Sequence, residues 1–156
     1  MQRVRERVAA LARLSVPVLV RGEEGSGRTH VIEVLLELLG EAGTEAAILR
    51  AGDRRLLAPL DPRRSSVLDE VARLSPVEQA RWRDALLAPG REPRACIYAT
   101  TTEDLALLVR QHAFDAALAD ALGRFEIALP PLRDRRDDLP ELAAELALSA
   151  CARLGR

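Results

Sequence analysis

The stretch Gly22-Glu23-Glu24-Gly25-Ser26-Gly27-Arg28-Thr29 has residue types and spacing that could do chemistry. It fits the phosphate-loop pattern G-x-x-x-x-G-K-[ST] at every fixed position except one, where Arg28 stands for Lys. In such a loop, consecutive backbone N–H groups and the start of a helix converge on an anion. The planar guanidinium of Arg28 is bulkier than an ammonium and cannot reach phosphates in the same way. We therefore expect weakened nucleotide binding and still weaker hydrolysis. All 23 basic residues are Arg, so a general drift toward Arg could have placed one here without a new role.

The loop needs a strand before it and a helix after it. Val16–Arg21 reads as a buried strand, with Pro17 near its start, where a missing N–H costs least. A helix should run from about Arg28 to Leu39 and end at Gly40, with enough apolar residues to be deeply packed. Ahead of both, Val4, Val8, Leu11 and Leu14 recur at helical spacing.

Further strands are expected at 46–49, in the run 65–70 that ends on Asp69-Glu70, at 95–99 and at 125–129. Residues 51–64 read as loop. Ser75-Pro76-Val77-Glu78 has the form of a capping box opening a helix that carries Trp82, Leu86 and Leu87 and stops near Pro89-Gly90. Glu103 to about Gly123 should be helical with a break near His112, and 138–154 should form a last helix. Strands alternating with helices imply an α/β fold, a parallel five-stranded sheet covered on both faces as a three-layer sandwich.

Composition narrows the function. The chain has 156 residues, a net charge of −1 and 3% aromatics, which gives no basic footprint and no stacking platform for nucleic acid. No apolar run approaches the roughly 18 residues that span a bilayer, and no signal peptide precedes the first helix, so a cytoplasmic protein is expected. Cys96 and Cys151 do not make a metal site or disulfide framework, and Cys96 reads as a buried small hydrophobe. His30 and His112 are solitary, with surface or helix-end placement expected. The mixed-sign run 133–138 reads as a solvated loop with local ion pairs.

In order along the chain, VPVLVRGEEGSGRT, VLDEVARLSPVEQARWRDALL, CIYATTTEDLALLV and FEIALPPLRDRRDDLPELAAELA resemble the AAA+ domain of the sigma-54-dependent transcription activators. The resemblance implies a P-loop NTPase-like core in which Gly22, Gly25, Ser26, Gly27, Arg28 and Thr29 would meet a nucleotide. Thr29 and Asp69 would hold Mg²⁺, if Mg-nucleotide binds. Asp69 and Glu70 match the Walker B pair, the Glu polarising the attacking water.

Other positions depart from the family. Thr100-Thr101-Thr102 stands where a γ-phosphate-sensing Asn is expected. Asp115 and Ala121 fall on the positions of two arginine fingers, with Arg124 nearby as a possible substitute. Residues 51–64 hold no sigma-54-contacting GAFTGA-type motif, and the chain stops after what would be the first helix of the lid. These departures lead to the expectation of a single degenerate core over 1–156, with the lid largely absent. It would regulate a protein partner by binding, as inhibitor or adaptor, with no catalytic residues at work and no enzyme activity. Under that reading no cofactor is needed, no DNA or membrane is bound, and a monomer or dimer is preferred over a hexamer. The alternative is a nucleotide switch that binds ATP or ADP with Mg²⁺. A third reading is an active ATPase or sigma-54-type regulator.

Overall fold

A computed structural model of the chain describes residues 6, 8, 10, 11, 16–38, 46–57, 65–88 and 96–153. Its five strands are β1 (Val18–Arg21), β2 (Ala47–Arg50), β3 (Ser66–Asp69), β4 (Ile97–Thr101) and β5 (Glu126–Ala128). They form one sheet in the order β2-β3-β4-β1-β5, and every pairing is parallel. The helices with described bounds are α1 (Arg28–Leu38), α2 (Pro76–Leu87), α3 (Leu105–Arg110), α4 (Ala116–Gly123) and α5 (Leu139–Arg153), and residues 6, 8, 10 and 11 ahead of β1 are helical as well.

The sheet has a core on each face, and the period of two along each strand decides which residue joins which. Val18, Val20, Val67, Tyr98 and Ile127 pack with Val31, Ile32 and Leu35 of α1, and with Val8 and Leu11 ahead of β1. The intervening Leu19, Leu68, Ile97 and Ala99 pack on the other face with Trp82, Leu105, Leu118 and Leu122 from α2, α3 and α4. Burial on both sides explains why these strands read as unbroken apolar runs. Cys96 is buried beside β4, as a small hydrophobe would be.

The structure refines several expectations. α1 buries Val31, Ile32 and Leu35, but Leu38 is 56% exposed, so the helix is one-sided rather than deeply packed. Gly40 and Pro89-Gly90 lie outside the described residues. Residues 54–57 form a 3-10 turn that buries Leu56, where the sequence suggested only loop. The break near His112 is real. His112 has φ 57°, a left-handed conformation that ends α3 and redirects the chain into α4.

The capping box at the start of α2 forms as its residues imply. Ser75 Oγ accepts from the Glu78 N–H at 3.4 Å, and Glu78 Oε2 accepts from the Ser75 N–H at 2.7 Å. Glu78 does more than cap, because its Oε1 accepts from Gly52 N–H at 3.0 Å and so fixes the turn after β2. Burial opposes ionisation of Glu78, but the bonds from Ser75 and Gly52 outweigh it and hold its pKa below the usual glutamate range. Buried Gln79 completes the tie. Its side chain donates to Leu74 O at 2.8 Å and accepts from Asp115 N–H at 2.8 Å, joining α2 to the start of α4.

Glu78→Ala should therefore destabilise the domain by about 1–3 kcal/mol, against about 1 kcal/mol for Ser75→Ala. Urea denaturation at pH 7 measures both. A depressed carboxylate pKa stabilises the fold above the unfolded value and is lost as pH falls through the folded one. The difference between wild type and Glu78→Ala should thus shrink as pH falls below about 4.3.

Candidate functional site

Because the strands are parallel, the C-terminal ends of β1, β3 and β4 emerge on one edge. Leu19 pairs with Ala99 and Ala99 with Leu68, so Arg21, Asp69 and Thr101 close neighbouring strands. Open α/β sheets hold their ligands at this edge.

The loop after β1 is shaped by its glycines. Gly25 and Gly27 have φ of 78° and 85°, a region that side chains with a Cβ rarely enter. Gly22 is needed for a different reason, since a Cβ there would lie 2.5 Å from Ser26 Oγ and 3.1 Å from Leu129 Cβ. Val31 N–H bonds to Gly27 O, the first carbonyl of α1. By helix geometry the N–H groups of Arg28 and Thr29 at the start of α1 then have no intrahelical acceptor. Ser26 Oγ is buried with no hydrogen-bond partner among the described residues. Left-handed glycines, the N–H groups of Arg28 and Thr29 at the start of α1 and this hydroxyl fit a bound phosphate.

The two acids that end β3 are held differently. Asp69 Oδ2 meets Arg50 Nε at 2.9 Å, and Oδ1 accepts from Thr100 Oγ1 at 2.9 Å. Burial opposes its ionisation, yet the bonds from Arg50 and Thr100 and the charges of Arg50 and Arg28 keep its pKa below the usual aspartate range. Glu70 has left the strand, with φ 57° and ψ 61°. Its N–H donates to Thr100 Oγ1 at 2.9 Å, its Oε2 accepts from the N–H and Oγ1 of Thr102, both at 3.2 Å, and its Oε1 pairs with Arg28. Arg28 and Glu70 side chains are only 12% and 18% exposed, so this ion pair is largely withdrawn from water.

Among the described residues no cluster of three or more His, Cys, Asp or Glu side chains could hold a metal ion. That is compatible with Mg-nucleotide, because Mg²⁺ takes one or two protein groups together with phosphate oxygens and water. The Thr29 hydroxyl and the Asp69 carboxylate are the groups that the resemblance would give to the ion, and in this structure the Asp69 oxygens meet Arg50 and Thr100.

Several partners escaped the sequence. The run 133–138 is exposed at Arg133, Asp134 and Arg136, as a solvated segment would be, and it also makes long-range contacts to the loop. Arg133 grips Glu23 with bonds of 2.6 and 2.9 Å, and Arg135 donates to the Ser26 carbonyl. Arg50 at the end of β2 was not anticipated as the partner of Asp69; its only signal was its place at a strand end. Asp115, compared above with an arginine finger, accepts from Leu118 N–H as the N-cap of α4 and pairs with Arg83 at 2.9 Å. Arg124 lies 3.6 Å from Asp120 on the exposed side of α4. His30 and His112 are exposed.

Comparison with known proteins defines the class. The model of the sigma-54 interaction domain matches residues 1–132. This chain belongs to that family, the AAA+ domains of bacterial enhancer-binding proteins. The C4-dicarboxylate transport transcriptional regulatory protein DctD of Pseudomonas aeruginosa is 30% identical over 188 aligned residues, covering 99% of this chain. The chain spans 41% of that relative's length, and the alignment is longer than the chain itself, so the relative carries inserted segments.

In fold, it is similar to NtrX from Brucella abortus in complex with ATP, with TM-score 0.80 and 18% identity over 99% of this chain and 42% of that one. The P-loop NTPase domain of a sigma-54 activator from E. coli is also similar, with TM-score 0.66 and 19% identity, covering 84% of this chain and 94% of that one.

Family membership corrects one expectation outright. The chain was expected not to be an enzyme, on the ground of its substituted motif positions. It belongs instead to a family whose AAA+ domain is normally an ATPase. No helix among the described residues is long and apolar enough to cross a membrane.

Gly27→Ala should cost about 1–2 kcal/mol by forcing a Cβ into the left-handed region. Gly22→Ala should cost a similar amount, about 1–3 kcal/mol, by overpacking against Ser26 and Leu129. Thermal melts followed by circular dichroism check both, and a neutral Gly27→Ala would contradict the loop geometry.

Proposed function

We propose that this domain is a nucleotide-responsive switch of the sigma-54-activator type. It binds ATP and ADP with Mg²⁺ and passes the bound state to a protein partner in sigma-54-dependent transcription. The observation that carries this reading is the loop 22–29, with left-handed Gly25 and Gly27 opening a helix at Arg28 beside the acids that end β3. Its support from relatives is that NtrX, on the same fold, was crystallised with ATP and again with ADP.

Residues 1–156 act as one core unit in this proposal. The backbone N–H groups of Gly25, Ser26 and Gly27 and those opening α1 hold the phosphates, with Gly22 allowing the loop to close. Arg28 supplies the positive charge, and its fork accommodates phosphate as readily as carboxylate. Thr29 and Asp69 hold Mg²⁺, which neutralises phosphate charge. Glu70 is the group that would orient water for hydrolysis, the activity that membership of the family brings. Sigma-54 RNA polymerase is the partner class that the family implies.

The test is a thermal shift of the purified chain with Mg-ADP and Mg-ATP. At 100 times its Kd a ligand stabilises the folded state by about 2.7 kcal/mol, which raises Tm by several degrees in a domain of this size. Thr29→Ala and Asp69→Ala should lower the Mg²⁺-dependent part of that shift. An unchanged Tm at millimolar nucleotide would overturn the reading.

A further inference from the structure

We propose that Arg135 is a positioning residue for phosphate binding, which holds the Ser26–Gly27 peptide so that the Gly27 N–H faces the ligand. The inference rests on the nucleotide-binding reading above and adds to it the side chain that aims one of the donors. The Arg135 guanidinium donates to the Ser26 carbonyl. A trans peptide is planar, with its C=O and N–H on opposite sides, and the described residues include no cis peptide. With the Ser26 oxygen drawn to Arg135, the Gly27 N–H is turned the other way. There it joins the N–H groups of Arg28 and Thr29 at the start of α1.

The loop does not fix this plane by itself. Glycine takes either sign of φ with little steric cost, so the peptides beside Gly25 and Gly27 turn over readily unless something outside the loop restrains them. The segment after β5 supplies that restraint at both ends of one turn. Ser26 N–H closes the turn by donating to the Glu23 carbonyl at 3.1 Å. Arg133 grips the Glu23 side chain at 2.6 and 2.9 Å, and Arg135 holds the Ser26 carbonyl. The segment is itself well anchored. Leu129 N–H donates to Arg21 O at 2.7 Å, and buried Leu129 lies against Gly22. Pro130 and Pro131 follow with restricted φ, and the 3-10 turns Leu132–Asp134 and Arg136–Asp138 flank Arg135. Arg133 and Arg135 therefore reach the loop from a rigid base, and Arg135 serves the phosphate through the Gly27 backbone.

Titration of Mg-ADP into ¹⁵N-labelled wild type, Arg135→Ala, Arg135→Lys and Arg136→Ala tests the assignment by affinity and by the Gly27 amide shift. In wild type the Gly27 amide proton should move downfield as it meets phosphate. Arg135→Ala should weaken binding about tenfold and remove most of that movement, with the ligand-free Tm lowered by only a few degrees. Arg135→Lys, whose ammonium still donates to a carbonyl, should recover most of both. Arg136→Ala takes an equal charge from an exposed position of the same segment and should bind as wild type does. Wild-type binding in which the Gly27 amide stays unmoved would overturn the proposal while the nucleotide reading stands. Equal weakening by Arg135→Ala and Arg136→Ala would also overturn it, leaving only a general attraction of the segment for phosphate. If Arg135→Ala does not fold, Arg135→Lys decides, and loss of the Gly27 movement in that folded variant would overturn the proposal. Silence of the wild type at millimolar ADP would end both proposals.

Discussion

The parallel register of β3, β4 and β1 is the constraint on which the rest depends. It brings the loop at 22–29, the acids at 69–70 and the threonines at 100–102 to one edge, although they are far apart in sequence. Each strand is short and fully enclosed, so a slip of one residue would exchange Leu19 and Leu68 with Val18 and Val67 between the two cores. The apolar packing therefore fixes the polar geometry. Arg28 meets Glu70, and Thr100 meets Asp69, because Leu19, Ala99 and Leu68 lie side by side.

Two neighbouring carboxylates at the end of β3 reach opposite circumstances through that geometry. Asp69 continues the strand, accepts bonds from Arg50 and Thr100, and is ionised more readily than an ordinary aspartate. Glu70 turns out of the strand into a strained conformation and spans from α1 to the end of β4. The first stays in the sheet's register; the second leaves it. Arg28 stands where the motif has Lys, and in this chain one guanidinium nitrogen pairs with the Glu70 carboxylate.

Local features were legible in the sequence because local rules produce them. The capping box at Ser75, the glycine loop and the alternation of strands with helices follow from residue type and spacing. The break at His112 was legible as well, though its left-handed backbone was not. What could not be read were contacts that depend on the assembled sheet. Arg50 and Asp69 are brought together by the β2–β3 pairing, and Arg133 reaches Glu23 across 110 residues. The run 133–138 is exposed as its mixed charges suggested, but composition alone did not tell that Arg133 and Arg135 reach the glycine loop.

The inference that substituted motif residues mean lost chemistry failed for a related reason. A motif position records a residue type, whereas activity belongs to the assembled site and its family context. Asp115 illustrates the point, since it caps α4 and pairs with Arg83 whatever its position matches elsewhere.

The central claim is that nucleotide enters at the glycine loop. Amide chemical-shift mapping of the ¹⁵N-labelled chain during titration with Mg-ADP tests it most directly. The account predicts saturable shifts at Gly25, Gly27 and Thr29, and an unchanged spectrum would contradict the site itself.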